Sequence, residues 1–403
     1  MQETTVSPAD IAMTPAARVQ AAIEILDDIL GGVPAEKSLT GWARRSRFAG
    51  SKDRAAIRDH VFSALRQRRS LGWIGGAETG RGLMIGQTVK EGLQLSDTFT
   101  GDTHAPPSLS SNEIASLVDI AEAPQTVRLD APEWLWSRLQ ESLGDNVESV
   151  LSALQARAPL HLRANLLKTN REKLRERLLS ENVETKIHKL AETALEVEGP
   201  IRGLSNLASF REGLFELQDA ASQAVVEHLS DYVTGARVLD YCAGGGGKTL
   251  AMAAFDPAEL SAHDANVGRM KDISVRSDRA GAIVRIAEKP QGTFDLVLCD
   301  APCSGSGAWR RQPAAKWDLT EARLKTLTDL QQRILEKASL LVRPGGHLAY
   351  ATCSLLNEEN SEQVDRFLSG NTNWIKTDSL QLTPLDGGDG FFLALLQKNA
   401  AIH

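Results

Sequence analysis

The chain has 403 residues, 42% of them apolar and 24% charged, a composition that supports about two to four globular domains and excludes a low-complexity or disordered polymer. Its formal charge of −7 argues against a uniformly basic nucleic-acid coat, so contact with phosphates would have to come from a local patch. The four cysteines include no C-x-x-C pair and no long uncharged apolar run occurs, which excludes a disulfide scaffold, a zinc ribbon and a membrane span and points to the cytoplasm.

The chain opens on a disordered-looking tail to about Pro15. Val19, Ala22, Ile23, Ile25, Leu26 and Leu30 then recur at helical spacing until Gly31-Gly32 stops them. Further helices are expected over Leu39–Phe48 and Asp53–Arg69, giving a helical module over residues 1–75. Between Lys37 and Arg69 ten basic residues (Lys37, Arg44, Arg45, Arg47, Lys52, Arg54, Arg58, Arg66, Arg68, Arg69) face only Asp53 and Asp59, a net +8. This is either a footprint for an anionic partner or a solvated helix face. Residues 76–130 read as a linker with short helices, in which glycine and polar residues break the pattern to about Pro107 around a short element at Gly82–Gly86, and a lesser helical region follows at Asn112–Ile120.

A helix is expected after Pro132, since proline is favoured in a first turn. Pro159–Asn165 then reads as a strand, Asn170–Leu179 as a helix and Ala194–Val197 as a strand, so residues 131–215 form a small α+β subdomain. From Arg237 strands and helices alternate, the signature of a doubly wound sheet. Strands are expected at Arg237–Tyr241, Leu260–His263, Ile283–Ile286, Phe294–Cys299 and His347–Ala351. Helices are expected at Lys248–Ala254, Asn266–Ala280, Thr320–Leu341 and Glu358–Leu368, and a closing pair at Trp374–Thr377 and Gly390–Leu396. Residues 216–403 therefore read as an α/β, Rossmann-like domain with the pattern of class I methyltransferases.

Three stretches carry chemistry. The first βα turn, Val238-Leu-Asp-Tyr-Cys-Ala-Gly-Gly-Gly-Gly-Lys-Thr249, fails the P-loop pattern at Cys242 and the dinucleotide fingerprint at Thr249. What remains is a glycine loop suited to a nucleoside with a short charged tail, with Asp264 at the next strand end placed for ribose hydroxyls. The second stretch, Val297-Leu-Cys-Asp-Ala-Pro-Cys-Ser-Gly-Ser-Gly307, ends a buried strand in a carboxylate, a proline-fixed turn and the thiol of Cys303. The third, His347-Leu-Ala-Tyr-Ala-Thr-Cys-Ser-Leu-Leu356, ends a strand in Cys353. Two thiols and Asp300 at strand ends suit attack on an electron-poor ring: pyrimidine C5 becomes nucleophilic only after something adds to C6, and a thiolate adds reversibly. A carboxyl group at N3 relieves the charge that develops.

Asp300-Ala-Pro-Cys-Ser-Gly-Ser-Gly, Tyr350-Ala-Thr-Cys-Ser-Leu with Glu359-Asn360, the glycine loop, Arg163-Ala-Asn-Leu-Leu-Lys-Thr169, Leu217-Gln-Asp-Ala-Ala-Ser222 and Asp389-Gly-Phe-Phe392 resemble the Sun/Fmu family of RNA cytosine-5 methyltransferases. The bacterial small-subunit rRNA type is the most similar. The resemblance runs from about Pro132 to the C-terminus. Asp53-Arg-Ala-Ala-Ile-Arg58 looks like part of the NusB-like RNA-binding domain attached to that type.

The resemblance implies an RRM-like small subdomain, S-adenosylmethionine as methyl donor, RNA as partner, no metal and a monomer. It makes Cys353 the nucleophile on C6, Cys303 the group that assists proton removal and product release, Asp300 the partner of cytosine N3, and Lys248 a neighbour of the reacting centre. The donor would be framed by Cys242, Ala243, Gly244, Gly245, Gly246, Gly247, Lys248, Asp264, Arg269, Glu288, Asp300 and Pro302. The sequence departs from the family in lacking the proline of Ala-Pro-Gly-Gly-Lys before Lys248, and in offering Glu288 where an aspartate usually follows the third strand. A tRNA substrate, and an RNA-binding assembly factor without turnover, are the alternatives.

Overall fold

The computed structural model describes residues 13–199 and 203–400, so the expected N-terminal tail lies outside the described residues apart from its last few positions. The chain divides into two compact units. The first comprises Met1–Ser137, Val147–Arg157 and Trp309–Asp318, the second Arg138–Asn146, Ala158–Ala308 and Leu319–His403. No helix among the described residues is long and apolar enough to cross a membrane.

The first unit is helical. Its helices Pro15–Leu30, Ala35–Arg45 and Ser51–Arg66 overlap the stretches where periodicity placed helical structure, while a fourth, Arg68–Ile74, begins at the end of the expected third helix and runs past Gly72, where the pattern was expected to break. Thr14 caps the first by accepting a hydrogen bond from Ala17 N at 3.1 Å, and Pro15 supplies the preset φ of a first turn. Residues 80–90, in the stretch expected to be a linker, form a full helix, Gly80–Lys90, that buries Leu83, Met84 and Ile85 in the same core as Ile25, Leu26, Ile57 and Val61. The helix Val147–Gln155 and the segment Trp309–Asp318 also belong here, and neither was expected. The segment is held to Ser51–Arg66 by hydrogen bonds from Trp317 Nε1 to Leu65 O (2.7 Å), Lys316 Nζ to Arg66 O (3.0 Å) and Arg66 Nε to Arg310 O (2.6 Å).

The second unit contains two sheets. The small one is built from β1 (His161–Ala164), β2 (Thr185–Ile187), β3 (Ala194–Val197) and β4 (Phe215–Leu217) in the order β2-β3-β1-β4, all antiparallel, with the helix Arg171–Ser180 packed on it. The large one comprises β5 (Arg237–Asp240), β6 (Glu259–Ala262), β7 (Arg285–Ile286), β8 (Phe294–Asp300), β9 (Val342–Thr352), β10 (Trp374–Leu382) and β11 (Phe391–Lys398). Its order is β10-β11-β9-β8-β5-β6-β7. Strands β5 to β9 pair in parallel, and β11 and β10 close the edge antiparallel.

Both faces of the large sheet are covered, which explains why its strands read as continuous apolar runs. Val238, Leu296, Leu298 and Ala349 pack on one side with Val225, Val226 and Leu229, while Leu239, Val297, Leu348 and Tyr350 pack on the other with Leu335, Ala338 and Phe367. The chain runs outward from β5 to β6 and β7, then returns to place β8 on the other side of β5. That reversal puts a crevice at the carboxyl ends of β5 and β8, where ligands bind in open α/β sheets. The edge strand β7 is shorter than expected, and Ile283, expected within it, is 93% exposed.

Candidate active site

All residues of the site lie in the second unit. β5 ends in Asp240, which is 1% exposed and accepts a hydrogen bond from Thr249 Oγ1 at 2.7 Å. Burial, outweighing that bond, pushes the Asp240 carboxyl up to about 7. The loop that follows turns through Gly246 at φ +80°, and a Cβ there would lie 2.9 Å from Ile273 Cγ1, so only glycine fits both the backbone and the packing. Gly244 N donates to Asp264 Oδ2 (3.0 Å), Ala243 N to His263 O (2.8 Å), and Asn266 N to Asp264 Oδ1 (2.8 Å). Arg269 Nη1 stands 3.1 Å from the same Asp264 Oδ2. Asp264, 4% exposed, is thereby fixed beside the glycine loop. Burial pushes the Cys242 thiol well up, so it is an unreactive part of the wall.

Lys248, one residue into the helix Gly247–Met252, reaches across to Asp300 at the end of β8, with Nζ 2.7 Å from Oδ2. The ammonium also sits 4.6 Å from the centroid of the Phe391 ring. A buried lysine needs such partners, and this pair fixes the rotamer of both side chains.

Strands β8 and β9 are hydrogen-bonded neighbours with Asp300 opposite Ala351, so the loops leaving their carboxyl ends begin side by side. Pro302 starts one loop and Thr352 ends the other strand. The Sγ atoms of Cys303 and Cys353 are 3.5 Å apart. Sharing a hydrogen bond with Cys353, and then burial, raise the Cys303 thiol well above its ordinary value. Cys299, on β8 itself, is fully buried among core side chains and is likewise pushed up by burial.

A family model described as 16S rRNA methyltransferase RsmB/F matches residues 229–397, and one described as the RsmF/B-like ferredoxin-like domain matches residues 131–202. A ribosomal RNA small subunit methyltransferase B from Cronobacter sakazakii is 34% identical over 293 residues, 68% of this chain and 68% of its own length. One of the same description from Pectobacterium atrosepticum is 32% identical over 66% of each chain. The chain belongs to the RsmB/F family. The alignments span about two thirds of these relatives' length. Among solved structures, a methyltransferase homolog protein from Pyrococcus horikoshii superposes with a TM-score of 0.59 at 25% identity, covering 68% of this chain and 97% of that one.

Of the positions that the RsmB/F resemblance singled out, the structure brings Lys248 to Asp300, Cys303 to Cys353, and Gly244 and Arg269 to Asp264. Glu288 stands exposed beyond β7, and among the described residues no side-chain hydrogen bond ties it to the loop. Two participants carried no role in the sequence reading. Arg163 on β1 is buried and donates to Gly247 O at 2.6 Å, bracing the glycine loop from the small sheet. Glu359 is fully buried and hydrogen-bonded to both thiol-bearing loops. Its place in the quoted Glu359-Asn360 pair was the available signal. Away from the thiols, His161, His188 and Glu196 bring ligand atoms within 4.8 Å of one another. Each already has a protein partner: Asp219, Leu190 N and Lys186 respectively.

Proposed function

We infer that this protein transfers a methyl group from S-adenosylmethionine to C5 of a cytosine in small-subunit ribosomal RNA through a covalent cysteine adduct. The observation that carries the reading is the pair of thiols 3.5 Å apart at the ends of adjacent strands, with Asp300 leading into one of them. An RNA-binding factor without turnover has no use for two apposed thiols beside a lysine–aspartate pair.

The residues present fit the donor. Asp264 is a fixed carboxylate at the end of β6, in the position from which acidic residues hold ribose hydroxyls in related folds. The loop Cys242–Gly247 is packed back against Ile273 and Asp264 at the crevice of the sheet, with Gly245 exposed. Bound there, S-adenosylmethionine supplies the methyl group.

The remaining chemistry belongs to the chain. Cys353 Sγ bonds to C6 of the cytosine, breaking the C5–C6 double bond and making C5 electron-rich. Asp300, oriented by Lys248, interacts with N3 as charge develops on the ring. Once C5 carries the methyl group, removal of its proton with help from Cys303 returns the electron pair to C5–C6 and expels Cys353. The exposed Arg44, Arg45, Arg47 and Lys52 of the first unit, with no ion pair among the described residues, offer contacts to RNA phosphates.

The reading is tested with an rRNA fragment carrying 5-fluorocytosine, whose C5 substituent cannot leave as a proton. The expected result is a stoichiometric covalent complex dependent on S-adenosylmethionine. Absence of both that complex and bisulfite-detectable 5-methylcytosine in unmodified fragments refutes it.

A further inference from the structure

We propose that Glu359 is the positioning residue that holds the two thiol-bearing loops in one register. It lies in the short 3-10 turn Asn357–Glu359 after β9 and is fully buried. Its Oε1 accepts from Ser304 N (2.8 Å) and Gln331 Nε2 (3.1 Å), and its Oε2 from Ser304 Oγ (2.5 Å) and Ser354 Oγ (2.6 Å). Ser304 directly follows Cys303, and Ser354 directly follows Cys353. One carboxylate therefore grips the residue after each thiol.

Four donors converge on a group that can only accept, so the pattern suits a carboxylate without leftover polar atoms. The frame around it is also fixed. Tyr350 Oη donates to Glu359 O (2.7 Å), Gln331 Nε2 donates to Pro302 O (2.9 Å), and Ser306 Oγ accepts from Leu355 N (2.8 Å). β8 and β9 set the loops' starting points through the sheet, but Pro302 ends the ladder on one side and Thr352 ends it on the other. Beyond those points nothing in the sheet dictates the spacing of the thiols. Hydrogen bonds between the loops do: Gly307 N to Cys353 O (3.0 Å), Leu355 N to Ser306 Oγ, and the paired ties that the Glu359 carboxylate makes to Ser304 and Ser354.

The test uses the full-length protein and two readouts. The first is intramolecular disulfide formation with diamide, in which the Cys303 and Cys353 thiols lose two hydrogens to the diazene and it becomes the hydrazine. The thiols need only close from 3.5 Å to a bond length of about 2.05 Å, so the rate reports how well the loops hold them together. The second, which rests on the methyl-transfer reading, is the split between kcat and KM for RNA.

Glu359→Ala is expected to slow disulfide formation about tenfold and lower kcat about 100-fold, the order of loss for a misplacement near 1 Å, with KM changed less than about twofold. Glu359→Gln restores most of both, because the two serine hydroxyls can turn to accept from its amide. Ser354→Ala, which removes a single tie, gives an intermediate loss and serves if Glu359→Ala does not fold. Wild-type values in both Glu359→Ala and Ser354→Ala, or a Gln variant as poor as Ala, overturn the proposal. A wild-type protein that forms the disulfide but modifies no RNA refutes the proposed function and leaves the diamide comparison to decide the role of Glu359.

Discussion

Replacing Asp240 by Asn should change how stability depends on pH, and the structure sets both sign and size. Asp240 is 1% exposed, Oδ2 is bonded to Thr249, and Oδ1 has no hydrogen-bond partner among the described residues. Burial lifts its carboxyl from 3.8 to about 7. Between those values the folded chain keeps a proton that the unfolded chain has released, so stability falls as pH rises. The contribution is fully present below about pH 4 and lost as pH passes about 7. A shift of about three units corresponds to on the order of 4 kcal/mol. Asn cannot titrate, and the cost of placing its amide where Oδ1 stood is the same at every pH. Urea unfolding of both proteins between pH 4.5 and 8 isolates the effect, because other groups cancel in the difference. The variant should gain on the wild type steadily up to about pH 7 and then level off. A difference that stays flat across the range refutes the assignment of a raised carboxyl to Asp240.

Two further predictions concern chemistry and RNA. Cys353→Ser should abolish methylation and adduct formation, while Cys303→Ser should still attack and methylate but release slowly, accumulating a protein–RNA complex on a denaturing gel; the opposite pattern reverses the roles of the two thiols. Arg44→Gln, Arg45→Gln and Arg47→Gln together should weaken RNA binding and reduce its salt slope by about one unit per lost phosphate contact. Arg58→Gln should do less, since Glu36 already pairs with Arg58 at 2.5 Å, and equal slopes for the triple variant and the wild type would assign the patch to solvent.

The strand ends were legible because a buried parallel strand is an apolar run and its chemistry begins where the run stops, as at Leu298-Cys299-Asp300 and Ala351-Thr352-Cys353. Glycine misled. Gly82–Gly86 read as no more than a short element in a linker, yet a Cβ on Gly82 would meet Ala77 O and one on Gly86 would meet Leu71 O, each at 2.1 Å, so these glycines let the helix Gly80–Lys90 pack closely. β9 was expected only from His347, but a register irregularity between Phe294 and Leu296 of β8 lets the strand start at Val342, ahead of Pro344. The three-residue strands β2 and β4 are too short to show a period. Residues 309–318 gave no warning that they belong to the helical unit. Lys316, the least expected core residue there, is 4% exposed, and burial holds its ammonium down to about 8. Three members of the basic segment are also spent on structure: Arg66 bonds to Arg310 O, Arg68 to Glu78 and Arg69 to Glu133. The net +8 therefore overstates what is left for phosphate.

The sequence could not rank the two cysteines, and the geometry supplies a physical reason for dividing their labour. Two thiols 3.5 Å apart in a half-buried site cannot both ionise cheaply, because a second negative charge would face the first across a poorly screened gap. One must hold its proton while the other reacts. The hydrogen bond shared with Cys353, and then burial, raise the Cys303 thiol, and the nearby Glu359 carboxylate adds repulsion in the same direction. In the proposed roles Cys353 is the thiol that attacks C6, which leaves Cys303 as the one that keeps its proton. Once a sulfur is bonded to C6 it carries no charge, so ionising the other thiol no longer sets two anions side by side. Cys303 becomes easier to ionise only after the adduct exists, which is when help in removing the C5 proton is needed. The proposed order of events agrees with the electrostatics between two sulfur atoms, and it fails if the Cys303→Ser variant cannot form the adduct.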